Sequence, residues 1–106
     1  MSVKIREGDF IRSVADALQH ISYYHPRDYI QALGEAYRRE ESPAARDAMA
    51  QILTNSRMCA EGHRPVCQDT GLVVVFLKIG MEVSWEGAKS AEQMGNEAVR
   101  RASLDP

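Results

Sequence analysis

Little in this 106-residue chain is extreme, and its scarcities exclude several classes. There are two cysteines, Cys59 and Cys67, too few for a disulfide framework. Such isolated thiols suit a reducing compartment, as free thiols or metal ligands. No long hydrophobic run is present. The longest, Leu72 to Leu77, is far too short to cross a bilayer. The amino terminus, Met1-Ser2-Val3-Lys4-Ile5-Arg6, lacks the apolar stretch and small-residue cleavage site of a signal peptide. A soluble cytoplasmic protein with no membrane partner is expected. Charge of one sign is also lacking: the formal balance is −2, with both signs mixed and no basic stripe, so nucleic-acid binding has no electrostatic support. What is present is ordinary for a globular chain, 44% hydrophobic and 26% charged residues, which argues against disorder. The length fits one domain with a small core.

The first half has the period of helices. Phe10, Val14, Ala17, Leu18 and Ile21 recur at spacings of three and four. His25-Pro26 interrupts, since proline suits a first helical turn and pushes its predecessor out of helical geometry. Ile30, Leu33 and Tyr37 form a second set. Ser42-Pro43 then offers a capping hydroxyl followed by a residue that needs no amide partner. The third helix, with Ala45, Met49, Ile52 and Leu53 on one face, is expected to run to about Cys59, with Gly62 as its stop.

Beyond it the pattern changes. His63 to Gly71 is aperiodic and reads as a loop. Leu72-Val73-Val74-Val75-Phe76-Leu77 predicts a strand buried on both faces, with Met81 to Trp85 a short extension or a second strand. Lys89 to Ala102 returns to helical spacing. The fold class is therefore α+β and mostly helical: N-terminal helices, a motif loop, one or two strands and a C-terminal helix. A strand buried on both faces needs neighbours that this chain does not supply, so it reads as part of a larger domain or as a protomer completed by another chain.

The chemistry is concentrated between Asn55 and Gly71, where two thiols, an imidazole, two guanidinium groups and two carboxylates precede the apolar run. Cys59, His63 and Cys67 are spaced by four, but Gly62 and Pro65 oppose a continuous helix, and the spacing matches none of the common zinc patterns. Cys59 reads as a buried helix-end residue, since free cysteine packs as a small hydrophobe. His63 and Arg64 lie close enough to bind an anionic substrate, and equally suit a solvated surface. His20 and His25 read as structural, and Trp85, Tyr23, Tyr24, Tyr29 and Tyr37 as core or helix-interface residues. On residue chemistry alone, Cys67 is either a metal ligand or a structural thiol. Asp69 either serves an active site or caps a turn.

The run Pro65-Val66-Cys67-Gln68-Asp69-Thr70-Gly71, preceded by Asn55-Ser56-Arg57 and followed by the apolar stretch and Lys78-Ile79-Gly80, resembles the N-terminal region of class I fumarate hydratases. The tartrate dehydratase alpha subunit belongs to the same superfamily. The resemblance covers essentially the whole chain but only the start of the family's several-hundred-residue protein. It implies that residues 1–106 are the incomplete N-terminal portion of an iron–sulfur hydro-lyase catalytic domain. Such enzymes hold a 4Fe-4S cluster by three cysteine thiolates and use the open iron as a Lewis acid. By resemblance, Cys67 is one iron ligand, Gln68 and Asp69 bind the substrate, and Asp69 is catalytic. The implied reaction is reversible hydration of fumarate to L-malate, in the tricarboxylic acid cycle, by a parent protein that is typically a homodimer. The other two ligands and the catalytic base would lie outside this chain, so the chain alone is expected to be inactive. The alternatives are a tartrate dehydratase subunit, acting on a hydroxylated C4 dicarboxylate, and a non-catalytic helical interaction module in which Cys67 is only structural.

Overall fold

The computed structural model describes residues 2–66 and 71–104. The order is β1 (Val3–Arg6), α1 (Glu7–Tyr23), α2 (Arg27–Arg39), α3 (Pro43–Gly62), β2 (Val83–Glu86) and α4 (Ala91–Leu104). The mostly helical α+β class is as the sequence predicts. The chain divides into two compact units, one drawn from residues 2–19 and 71–104, the other from residues 20–66.

In the first unit, β1 and β2 pair in parallel, with Val3 opposite Val83 and Ile5 opposite Trp85. Val3-Lys4-Ile5-Arg6 alternates apolar and charged residues, as a strand with one covered face requires. Ile5, Val83 and Trp85 are its half-buried members. The core is built from Ile11 and Ala15 of α1 and Met94 and Ala98 of α4, with Phe10, Val14, Trp85 and Ala102 packed against it. Met94 is the largest fully buried side chain of this cluster, a flexible residue that fills the space between the two helices. Phe10 meets Trp85 edge to face at 5.2 Å, which ties α1 to the sheet. The buried face of α1 thus runs through Ile11 and Ala15, one residue round from the Phe10–Val14–Leu18 line seen in the periodicity. Ile21, expected on that face, is exposed.

A capping box and a bound carboxylate fix this unit's connections. At the start of α4 the Ser90 hydroxyl accepts from the Gln93 amide at 3.2 Å, and the Gln93 side-chain oxygen accepts from the Ser90 amide at 2.8 Å, a reciprocal capping box. Before it, Gly87 adopts φ +142, and a Cβ there would overlap the Glu7 carboxylate. That carboxylate is held by the Lys89 amide at 3.2 Å and the Lys89 ammonium at 3.5 Å.

The six residues Leu72 to Leu77 depart most from expectation. They form no strand and all are exposed. A buried strand needs hydrogen-bonding neighbours and a covering layer, and the described residues offer neither on the outer side. The strand expected near Met81–Trp85 is present as β2, but its partner is β1 rather than the apolar run.

In the second unit α2 packs on α3, with Ile30, Leu33 and Tyr37 half-buried and the Arg46 guanidinium 4.7 Å over the Tyr37 ring. Ser42 caps α3, accepting from the Ala45 amide at 3.5 Å, and Pro43 takes the first turn. Among the described residues, no helix is long and apolar enough to cross a membrane.

Candidate functional site

The approach to the motif is set by the end of α3. The helix runs past Cys59 to Gly62, further than expected, and the left-handed terminating residue is His63, at φ 51 and ψ 51. A glycine would ordinarily take this position. Histidine is among the side chains that visit this region most readily, and here its ring has specific partners. It stacks on Tyr23 at a 5.5 Å centroid distance with the planes 5° apart. Its Nε2 lies 3.1 Å from the Tyr24 hydroxyl. The helix end is closed by the His63 and Arg64 amides, both donating to the Cys59 carbonyl.

Cys59 itself is buried, and its thiol donates to the Pro65 carbonyl at 3.3 Å. It is the helix-end packing residue that its sequence context suggests. Val66 then inserts, 2% exposed, and its amide donates to the Ser22 carbonyl at 2.7 Å. Ser56, one turn before Cys59, is buried and bonds its hydroxyl to His25 Nδ1 at 3.0 Å. His25 stacks in turn on Tyr29 at 4.9 Å. The chain just before the motif is thereby tied to the α1 terminus and α1–α2 connection through Ser22, Tyr23, Tyr24 and His25, all within one unit.

The predicted iron ligand Cys67, with Gln68, Asp69 and Thr70, lies outside the described residues. The structure places the frame, not those side chains. Among the described residues there is no group of three or more His, Cys, Asp or Glu side chains able to hold a metal ion. Cys59 and His63, equally spaced before Cys67, are committed to different partners, the Pro65 carbonyl and the Tyr23–Tyr24 pair. Arg57 pairs with Glu61 at 3.1 Å along the helix surface, and Arg64 is exposed. His20 stacks against Tyr24 at 4.7 Å, in keeping with a structural role. Sequence reasoning singled out the thiols and missed the Tyr23–His63–Tyr24 cluster. The one signal for it was the adjacency of Tyr23-Tyr24 to a proline break, and nothing in the sequence links that dipeptide to a histidine 39 positions on.

The family model for fumarate hydratase (fumerase) matches residues 11–105, nearly the whole chain and the motif within it. The chain belongs to the fumarate hydratase family. Its resemblance extends to the putative L(+)-tartrate dehydratase subunit alpha of Methanocaldococcus jannaschii, 36% identical over 91 residues. That match takes in 85% of this chain and 32% of the relative, so the chain spans about a third of the relative's length. No solved structure matches it. Within this fumarate hydratase-type family, Ser56, Cys59 and Val66 are the parts of this chain that hold the ends of the segment before Cys67-Gln68-Asp69-Thr70-Gly71.

Proposed function

We propose that this chain is the N-terminal portion of a hydro-lyase catalytic domain that reversibly hydrates fumarate to L-malate, with Cys67 as one of three thiolate ligands to a 4Fe-4S cluster. The observation that carries the reading is the family match over residues 11–105, containing Cys67-Gln68-Asp69-Thr70-Gly71. Iron bound by thiolates with one open position supplies Lewis-acid stabilisation of charge on the substrate oxygens as water is added or lost.

This chain's own contribution is one thiolate and its immediate neighbours. Cys59 is unsuited to be a second ligand, since its thiol is buried and already donates to the Pro65 carbonyl. Cys67 is the remaining cysteine, and two further thiolates must come from elsewhere in the protein. Gln68 offers an amide donor to a substrate carboxylate, and Asp69 accepts from the substrate hydroxyl or orients a neighbouring cation. The ties at His63, Pro65 and Val66 fix the chain that leads up to the motif. The 106 residues alone lack the full ligand set and are inactive, because groups that act as a unit lose function when members are missing. A cytoplasmic enzyme, a homodimeric parent protein and a small dicarboxylate partner accord with this reading.

A second substrate is favoured by one specific observation: the relative bearing 36% identity is named as a tartrate dehydratase subunit. Tartrate carries one hydroxyl more than malate, so the two are told apart by polar contacts to that hydroxyl.

The test uses the intact protein isolated without oxygen. Iron and sulfide are measured together with fumarate and L(+)-tartrate turnover. Wild type and Cys59→Ala should both retain the metal, while Cys67→Ser should lose the cluster. A colourless intact protein, or Cys67→Ser with full iron content, refutes the reading. Turnover of tartrate but not fumarate selects the second substrate.

A further inference from the structure

Resting on that reading of the chain as part of a larger catalytic domain, we propose that the outer side of Leu72–Leu77 is a docking strand. Its occupant is a β-strand, with its covering layer, from the polypeptide that supplies the remainder of that domain.

The segment already has strand character without strand partners. Exposure alternates along it: Leu72, Val74 and Phe76 are 80%, 63% and 92% exposed, whereas Val73, Val75 and Leu77 lie at 43–45%. That is the two-residue period of an extended chain with one face turned toward its own unit. Val73, Val75 and Leu77 line a groove with Phe10, Val14 and Val99, over the packed α1 and α4 helices. The other face, Leu72, Val74 and Phe76, is the more exposed one.

Among the described residues, none from Leu72 to Ile79 shares a backbone hydrogen bond. Extended backbone with free donors and acceptors is a template for strand addition. Proteins that keep such an edge single protect it with charge, proline or a bulge. Here no charge and no proline falls between Gly71 and Leu77, and the first charged residue is Lys78.

Two facts identify the occupant. In the relative the matched region is only 32% of the chain, so two thirds of that polypeptide is available to surround this segment. The outward face also needs covering, not merely an edge neighbour. Pairing with a second copy of this chain would satisfy the backbone, but would set two uncovered Leu-Val-Phe faces side by side. A strand carried by a larger polypeptide satisfies the edge and buries the face, as in sheets covered on both sides.

The experiment co-expresses this chain with the part of the Methanocaldococcus jannaschii relative that lies outside the match, and reads mass by light scattering and amide hydrogen exchange at residues 72–79. The expected result is an equimolar complex in which those amides, fast in the chain alone, slow by at least 100-fold. Val74→Lys and Phe76→Lys should each weaken the complex at least tenfold. Met81→Lys, at a fully exposed position beyond the segment, should not. Both lysine variants should retain the wild-type helical signal, since neither residue is buried. The proposal is overturned by any of three results. The chain alone forms a dimer that Val74→Lys dissolves; no protection is gained at 72–79; or both lysine variants assemble like wild type. Iron content and turnover play no part in these readouts, so a failed cluster assignment and a failed docking strand are told apart.

Discussion

His63 allows the sharpest test of how the motif's approach is built. It is a non-glycine residue in left-handed geometry at a helix end, φ 51 and ψ 51, and its side chain is exposed. For an L-residue with a Cβ that conformation costs about 1–2 kcal/mol. Two contacts offset it. The ring stacks on Tyr23, and aromatic pairs of this kind contribute about 0.5–1.5 kcal/mol. The Tyr24 hydroxyl lies 3.1 Å from Nε2, a bond with a net value of about 0.5–1.5 kcal/mol, at the lower end because it is exposed. His63→Ala removes both contacts and keeps the strain, so it should destabilise the fold by about 1–2 kcal/mol. His63→Gly removes the same contacts and releases the strain, against an added unfolded-state entropy of about 0.5–1 kcal/mol. Glycine should therefore lie above alanine by about 0.5–1 kcal/mol, or roughly 4 °C in midpoint for a chain of this size. Thermal unfolding followed by circular dichroism, with Tyr24→Phe as the variant that deletes only the hydrogen bond, separates the two contributions. Alanine equal to or more stable than glycine would refute the left-handed geometry and with it the clamp before Cys67.

Two further outcomes follow from the core and the surface charges. Met94 is 1% exposed between α1 and α4, so Met94→Ala should lower stability by about 2–5 kcal/mol in urea titration, whereas Met58→Ala, on an exposed part of α3, should change little. The Glu97 carboxyl is held at about 2, chiefly by the side-chain hydrogen bonds from Arg100 and then Arg101. A lowered folded-state pKa stabilises above the ordinary carboxylate value of 4.5 and is lost as pH falls from there toward 2, so wild type should lose more stability than Glu97→Gln between pH 5 and 2 at low salt.

The helices were legible because their causes are local. Ser42-Pro43 marks the start of α3 through a hydroxyl that accepts from the Ala45 amide and a proline that needs no amide partner, and Pro26 marks the break before α2 by its ring alone, with no side-chain cap. The core was legible only approximately. Phe10 and Val14 were found, but the buried line runs through Ile11 and Ala15, because which flank of an apolar stripe is covered depends on where α4 lies. Within the candidate site, Cys59 was read correctly as packing. The Tyr23–His63–Tyr24 cluster was not, since its members meet only after α2 and α3 have folded back.

The amino-acid order by itself determined the helical periods, the caps and the presence of Cys67-Gln68-Asp69-Thr70-Gly71, all carried within a few residues. Tertiary structure alone decided that Val3–Arg6 pairs with Val83–Glu86, and that the apolar run from Leu72 to Leu77 forms no strand with the other described residues. Composition can state that a segment is fit to be buried, because side-chain hydrophobicity is a property of the residue. Burial itself is a property of neighbours, and a strand acquires its hydrogen bonds and its covering layer only from whatever chain reaches it in space.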